Sequence, residues 1–318
     1  MKTQIEYTRV KIAKLLNPMV SIQITYLIMT AILILFILTA NSSKAQNNSV
    51  YNKCSSENAV FDLAKDRETG ETKRIKVEAD QHGNAKGNQY DLAVDGAFEG
   101  QTVAVLQFYT GGGFDFSLPK AALKEKGFSV YRWLDNPPSA EELEEKLKKA
   151  CQLWIISSNE QKLTQAHLKV IKKFFDSGKG VYIWGDNEPY YADANFVARY
   201  LFDVEMLGNL PGDVVVGLNN KGENIGLTPK HLITTGLEYV YEGITIATIQ
   251  KTSMLDPLIY GHEGNLVTAI YDKDGKRAIL DGGFTRLYYA WDNAGTGRYV
   301  KNAAAWLVNY ERFSEVSK

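Results

Sequence analysis

The chain has 318 residues, and 45% of them are hydrophobic, a share that supports a packed core. Its 36 basic and 37 acidic side chains give a formal net charge of −1 at pH 7. This balance, without a basic stripe interleaved with aromatic residues, excludes a general attraction to nucleic acid.

The first 45 residues have the three parts of a secretory signal. Basic residues come first, an uncharged apolar run covers residues 26–40, and small residues precede a cleavage site before Gln46. We therefore predict a signal peptide over 1–45 and a periplasmic or secreted protein. The alternative is an uncleaved anchor in the inner membrane that faces out, because the apolar run reaches the roughly 20 residues of a spanning helix if it extends back to Val20. We expect membrane contact only through this segment.

Residues 46–98 are polar and rich in Asn, Gly and charge, and we interpret them as a linker or extension. Weak strand patterns lie around Arg74–Val77 and Tyr90–Val94. The mature chain has two cysteines, Cys54 and Cys151. An oxidising compartment permits a disulfide between them, and a buried Cys151 beside a free Cys54 is the alternative.

Residues 99–312 alternate between strand and helix patterns, and a short tail covers 313–318. Strands are predicted over 102–109, 129–134, 152–157 and 180–185, and the helices between and after them begin at Ser117, Ser139, Thr164 and Tyr191. Strands alternating with helices through short connections predict an α/β fold. We expect a doubly wound, mostly parallel sheet in a flavodoxin-like three-layer arrangement, with the polar N-terminal extension before it.

The alternation loosens beyond Val204. Residues 204–217 predict two strands around a Pro-Gly turn. Asp274-Gly275 is typical of a hairpin turn, here between strands over 266–272 and 277–283. A closing helix over 297–310 has apolar residues at helical spacing, which predicts packing on the sheet.

Three segments carry a family likeness. They are VAVLQFYTGGG from Val103, PKHLITTGL over 229–237, and GKRAILDGGFTRLY followed by NAAAWLVNY near the end. Together they resemble the class I glutamine amidotransferase-like superfamily, in its ThuA-like branch. The second segment is similar to the branch's His-Pro-Ile-Thr-x-Gly-Leu pattern, with Leu232 in place of its proline. The resemblance covers about residues 102–310 and implies the fold, but it implies no function because one fold hosts many sites.

The chemistry of that superfamily depends on a cysteine at a sharp turn between a strand and a helix. The matching turn here is Gly185-Asp186-Asn187-Glu188-Pro189, which has no Cys or Ser. A carboxylate cannot replace a thiolate in attack on an amide. Cys151 begins a strand and is therefore expected at the opposite edge of the sheet. We therefore do not expect the amidotransferase reaction, and we assign no catalytic residue.

Ligands of open α/β sheets bind at the carboxyl ends of the strands. That rule selects four loops, over 109–116, 157–161, 185–193 and 281–292. The candidate ligand-binding residues in them are Asp115, Asp186, Asn187, Glu188, Tyr190, Asp193, Asp281 and Arg286. Carboxylates beside aromatic rings suit a sugar, and the same oxygens suit a hard cation such as Ca²⁺. The alternative is that these residues only shape turns and cap helices, with Asp193 as one such cap.

The remaining polar features predict neither metal nor cofactor. The histidines, His82, His167, His231 and His262, have no metal-ligand spacing. Gly111-Gly112-Gly113 lacks the lysine of a phosphate-binding loop and the spacing of a dinucleotide motif, so a flexible turn is favoured over an anion site.

These features together favour an exported domain without catalytic activity that binds a carbohydrate or an envelope protein at the carboxyl edge of its sheet. Two alternatives remain open. One is a ThuA-like hydrolase or isomerase that acts on a sugar through carboxylates, and the other is a structural component of an envelope assembly.

Overall fold

The computed structural model describes residues 50–52, 61–219, 221–291 and 294–310. The chain divides into two units, Met1–Val50 and Tyr51–Lys318, and the described elements belong to the second. The predicted signal or anchor, Cys54, Asp292 and the tail over 313–318 lie outside the described residues. Within the described ranges, no helix is both long and apolar enough to cross a membrane.

Fourteen strands and five α-helices make up the described chain. The strands are β1 Phe61–Lys65, β2 Thr72–Lys76, β3 Thr102–Gln107, β4 Ser129–Leu134, β5 Gln152–Ile156, β6 Gly180–Trp184, β7 Met206–Pro211, β8 Val215–Gly217, β9 Gly226–Leu227, β10 Tyr239–Tyr241, β11 Thr245–Ile249, β12 Asp256–Tyr260, β13 Leu266–Lys273 and β14 Lys276–Asp281. The helices are α1 Ser117–Glu125, α2 Ala140–Leu147, α3 Gln165–Asp176, α4 Ala192–Phe202 and α5 Thr296–Leu307.

Side chains cap two of the helices. Ser139 accepts a hydrogen bond from the backbone N–H of Glu142 at 3.2 Å, before α2. Thr164 precedes α3 and forms a capping box with His167. Ser117 was expected to cap α1, but it is the first helical residue there. Phe116 is the N-cap residue and makes no side-chain capping bond, whereas the Asp115 carboxylate accepts from the Ser117 N–H at 2.8 Å.

Eight strands form one mixed sheet in the order β4-β3-β5-β6-β14-β13-β12-β9. Five neighbouring strands run parallel to one another, namely β4, β3, β5, β6 and β14. Beyond β14 the pairing is antiparallel, because the predicted turn at Asp274-Gly275 returns β13 beside β14 as a hairpin. The α/β class is therefore confirmed, and the sheet is mixed, with the antiparallel strands gathered on one side of β14.

Helices cover both faces of this sheet. Ile155 of β5 and Ile183 of β6 share one buried cluster with Ile171 of α3, on the face that α2, α3 and α4 cover. Residue Tyr182 points to the opposite face, since side chains alternate along a strand, and its hydroxyl bonds the Tyr299 hydroxyl of α5 at 2.8 Å. Burying each large aliphatic side chain in such a core contributes about 1.5–3 kcal/mol.

The strands over 204–217 form as predicted, but they do not pair with each other. Strand β7 pairs antiparallel with β11, and β8 pairs antiparallel with β10. The weak strand expected over Tyr90–Val94 is also absent there, where the described chain forms a 3-10 helix over Asn88–Tyr90 and an isolated bridge from Tyr51 to Ala93.

Part of the predicted linker packs against the helices α1 and α5. The fully buried Asp91 carboxylate forms ion pairs at 2.8 Å with Lys126, Arg298 and Lys301. The next residue, Leu92, donates its backbone N–H to the Asn302 side chain at 2.6 Å. Paired charges of this kind are expensive to separate once buried, so they hold this part of the extension on the domain.

Candidate functional site

A cleft of about 330 Å³ lies at the carboxyl edge of the parallel strands. The loops after β3, β4, β5 and β6 surround it. Its lining residues are Phe108, Tyr109, Thr110, Gly111, Asp135, Ser158, Asn159, Glu160, Lys162 and Tyr190. Of the predicted ligand-binding residues, Tyr190 lies in this wall.

An ion pair links two loops across the cleft. The Lys162 ammonium donates to the Asp135 carboxylate at 2.6 Å and to the Asp135 carbonyl oxygen at 2.8 Å. Asp135 follows β4, whereas Lys162 follows β5, so the pair joins the ends of two strands that both flank β3. Asn159 and Glu160 lie beside it on the same loop as Lys162, and both are exposed.

Aromatic rings form the other side of the cleft. The rings of Tyr109 and Tyr190 meet edge to face with centroids 5.7 Å apart, and Tyr109 also contacts Phe284 at 5.2 Å. The Tyr109 hydroxyl hydrogen-bonds with Tyr288, and burial raises the pKa of the Tyr288 hydroxyl. Gly112 has φ +60, and a side chain there would stand 3.0 Å from both of these hydroxyls. The turn at Gly111-Gly112-Gly113 forms as predicted, and Gly112 lets its backbone lie close to the two tyrosine hydroxyls.

Asp186 lies in the turn between β6 and α4. Its side chain is 5% exposed and accepts a hydrogen bond from the Asn187 N–H at 3.0 Å. Burial raises the pKa of the carboxyl to about 8, against the smaller opposing effects of that bond and of the Arg286 charge. Chemically it is a buried acid that is neutral near pH 7, and it can donate a hydrogen bond in that form. It is not among the residues that line the cleft.

The two residues that follow Asp186 shape the turn. The Asn187 side chain accepts from the Thr245 hydroxyl at 2.8 Å and donates to the Glu188 carbonyl oxygen at 3.0 Å. Glu188 donates its backbone N–H to the Gly208 carbonyl at 2.9 Å, while its side chain is exposed. The peptide bond between Glu188 and Pro189 is cis.

Asp193 and Asp115 hold loops in place. The buried Asp193 carboxylate accepts from the backbone N–H groups of Lys162 and Leu163, at 3.0 and 2.8 Å. Burial raises the pKa of Asp193, and these hydrogen bonds oppose the rise. Asp193 therefore positions the loop that carries Lys162, although Asp193 itself does not line the cleft. Asp115 is exposed, and its bonds to Ser117 lower its carboxyl pKa.

Asp281 and Arg286 form a network in the core rather than in the cleft. Both side chains are fully buried, and Asp281 accepts from the Arg286 guanidinium at 3.3 Å and from the Tyr299 hydroxyl at 2.7 Å. Arg286 also donates to the Glu242 carbonyl oxygen at 2.8 Å. Burial has the largest single effect on the pKa of Arg286 and lowers it. The Asp281 charge, together with other nearby groups, outweighs burial and raises this pKa overall.

Sequence reasoning missed Asp135 and Lys162. It considered the loop after β5 only as far as Gln161 and omitted the loop after β4, although the rule that selects carboxyl ends applies equally to that strand. A second omission is the pair of His262 and Glu242, which are 20 residues apart in sequence. Glu242 is fully buried, and its carboxylate lies 2.6 Å from His262 Nδ1. The turn that carries His262 joins β12 to β13, which places it at the same edge of the sheet as Asp281.

The sequence predicts no metal site, although the oxygens of the candidate residues would also suit a hard cation. In the part of the chain that the structure describes, no group of three or more His, Cys, Asp or Glu side chains could hold a metal ion.

The comparisons with known proteins show low similarity. No family model matches the chain, and no curated protein matches it. Among solved structures, an exo-beta-1,4-mannosidase from Opitutaceae bacterium strain TAV5 is 12% identical with a TM-score of 0.37, over 65% of this chain and 36% of that one. The chain thus spans about a third of the length of that mannosidase.

Two further solved structures are similar at the same low level. A ThuA-like protein from Parabacteroides merdae is 10% identical with a TM-score of 0.43, over 66% of this chain and 90% of that one. The glutaminase domain of Trypanosoma brucei CTPS, with bound acivicin, is 10% identical with a TM-score of 0.33, over 65% and 94%. The structural neighbours therefore include a ThuA-like protein and a glutamine amidotransferase domain, at low identity and low TM-score.

Proposed function

We propose that this domain binds a carbohydrate in the cleft at the carboxyl edge of its sheet. The cleft itself is the observation that carries the proposal. Its volume of about 330 Å³ lies at the lower end of the range of roughly 300–1,000 Å³ that is typical of small-molecule pockets. A pocket of this size accommodates one or two sugar rings.

The chemistry of the walls supports a sugar more than an apolar ligand. Tyr109 and Tyr190 offer aromatic surface on which the apolar face of a pyranose can stack. Asp135, Asn159 and Thr110 offer acceptors and donors for hydroxyl groups. Convergent polar groups beside aromatic rings give a pocket orientation and specificity.

The proposed role is binding without catalysis. The turn at Gly185-Asp186 has no Cys or Ser, and the space there is small, since a side chain on Gly185 would stand 2.5 Å from the Met206 sulfur. We also propose that the domain is ThuA-like and that its sheet is doubly wound. The three similar sequence segments support the first point, and the alternation of strands and helices supports the second. We further propose that the protein is exported, with its N-terminal segment either cleaved or kept as a membrane anchor. The N-terminal sequence supports this.

One observation favours an enzyme as the second candidate. The Asp186 carboxyl, with its pKa raised to about 8, is in the state that a general acid requires near neutral pH. Its position apart from the lining residues of the cleft makes a binding role the better supported of the two.

The test removes one aromatic wall. Tyr190→Ala is expected to weaken saccharide binding about two- to tenfold, because an aromatic contact contributes about 0.5–1.5 kcal/mol beyond the area it buries. Binding to a panel of neutral disaccharides is measured by isothermal titration calorimetry. Tyr200→Ala is the matched control, since Tyr200 lies exposed on α4 outside the cleft wall.

Four outcomes decide the proposal. Loss in the Tyr190 variant with retention in the control supports it. Equal binding by both variants places the saccharide elsewhere and contradicts it. If no saccharide binds the native protein while a specific partner is captured from envelope extracts, the domain is an assembly component. Turnover of a glycan that Asp186→Asn abolishes establishes the enzyme instead.

A further inference from the structure

The charges that line the cleft do not cancel. Asp135, Glu160 and Lys162 are its charged lining residues. The Lys162 ammonium is already paired with Asp135, at 2.6 Å from the carboxylate, and the lysine side chain is 20% exposed. Glu160 is exposed, and within the described ranges it forms no ion pair. The cleft therefore carries one carboxylate in excess of its cations.

The second contact of Lys162 reinforces this arrangement. The ammonium also donates to the Asp135 carbonyl oxygen at 2.8 Å, so two of its three protons are directed to one residue. The backbone of Lys162 is held in place as well, because the Asp193 carboxylate accepts from the Lys162 N–H at 3.0 Å. An anionic ligand would have to compete with Asp135 for this lysine, whereas a cationic ligand finds Glu160 open.

The aromatic wall favours the same sign of charge. The faces of tyrosine rings carry negative electrostatic potential and attract cations. Tyr109 and Tyr190 both border the cleft, and their rings meet edge to face at an angle of 88°. A ligand ammonium near Glu160 thus meets a carboxylate and an aromatic surface in one pocket.

We propose that the cleft selects a saccharide that carries a free amino group, with its ammonium bound by Glu160 and its sugar ring on the tyrosine wall. This inference rests on the proposed function and narrows its ligand class. Neutral sugars bind through the same ring and hydroxyl contacts but less tightly. Sugars with a carboxylate bind least, because their charge opposes that of Glu160.

The experiment compares three β-1,4-linked disaccharides of one shape. They are the diglucosamine with free amines, cellobiose, and the corresponding disaccharide with a uronic acid. Calorimetry is done at about pH 6, where an amine with a pKa near that of an α-amino group is protonated. We expect the native protein to bind the diglucosamine about two- to fivefold more tightly than cellobiose, which is the effect of one exposed ion pair.

Glu160→Gln is expected to abolish this preference, so that diglucosamine and cellobiose bind the variant with equal affinity. Glu99→Gln is the control with the same charge change, since Glu99 is exposed and lies just before β3, at the amino end of that strand. Because both side chains are exposed, neither change removes a core contact. Thermal unfolding of each variant checks that the fold is retained.

The outcomes separate the two proposals. A preference for the amine that disappears only in the Glu160 variant supports the inference. Equal binding of diglucosamine and cellobiose overturns the inference while the proposed function stands. A preference that survives in the Glu160 variant, or tighter binding of the uronic acid, overturns it as well. If none of the three disaccharides binds, both the inference and carbohydrate binding in this cleft are refuted.

Discussion

The Asp186 carboxyl links the stability of the domain to pH, and Asp186→Asn tests this link. The carboxyl is 5% exposed, and burial raises its pKa from 3.8 to about 8. Asparagine has the same shape, keeps an oxygen that can accept from the Asn187 N–H, and does not titrate. The substitution therefore removes the titration with little change in packing.

The sign follows from proton binding. Since the folded pKa of this acid is raised, the folded state binds more protons than the unfolded state between about pH 4 and pH 8. The free energy of unfolding of the native protein therefore falls as pH rises through this window. One pKa unit corresponds to about 1.4 kcal/mol, so from pH 5 to pH 8 the native protein should lose about 4 kcal/mol relative to the variant.

The assay is urea unfolding of both proteins at a series of pH values from 5 to 9, followed by circular dichroism. We expect the difference in the free energy of unfolding to grow in favour of the variant up to about pH 8 and then to level off. Asp115→Asn is the control, because the hydrogen bonds of Ser117 lower the pKa of that exposed carboxyl and it stays ionised across this range. A constant difference between the native protein and Asp186→Asn would show that Asp186 is ionised in the folded state and would refute the reasoning.

Three further predictions concern other buried groups. Burial lowers the pKa of His231 from 6.5 to about 4, so the neutral imidazole stabilises the fold above pH 6.5 and this stabilisation is lost as the pH falls to 4. In urea unfolding, the free energy of unfolding of His231→Asn should therefore fall less over this window than that of the native protein. Equal losses in the two proteins would contradict this. Asp91→Ala should cost about 3 kcal/mol, the lower end for a broken buried pair because Lys126 keeps Asp95, and a cost below about 1 kcal/mol in urea would argue against the pairing. Burial raises the pKa of Cys151 to about 11, so in a Cys54→Ser background iodoacetamide at about pH 8 should label Cys151 only after unfolding, and rapid labelling of the folded protein would be the contrary result.

Local sequence patterns predicted the helices and the parallel strands because each of those elements has its own signal. The strand β4 has the bounds that its apolar and aromatic residues predict, and Ser139 caps α2 as expected. The hairpin of β13 and β14 forms at Asp274-Gly275, where both residues have positive φ. Pairing between distant strands has no such local signal. The Pro-Gly turn after Leu210 suggested that β7 and β8 are neighbours, yet each pairs with a strand more than 20 residues further along the chain.

The candidate site was predicted less well, for a related reason. The rule for carboxyl ends selected the edge of the sheet at which the cleft lies, but side-chain direction decides which residues line a cleft. Asp281 is the last residue of β14 and Asp193 lies in the first turn of α4, yet both side chains are fully buried and bind other parts of the protein. Lys162 gave no sequence signal, because its role depends on Asp135, 27 residues away. Of the eight candidates, Tyr190 is the one that combines the right loop with a side chain that borders the cleft.

The sequence by itself determined the α/β class, the positions of most helices and parallel strands, and the absence of Cys and Ser at the turn from Gly185 to Pro189. These properties depend on the identity of residues and on contacts between near neighbours in the chain. Only the tertiary structure decided that the sheet is mixed, that Asp91 holds part of the extension on the domain, and that Asp135, Glu160 and Lys162 share one cleft. Burial and pairing across long sequence separations fix these features, because they determine which charges are compensated and which remain open to a ligand.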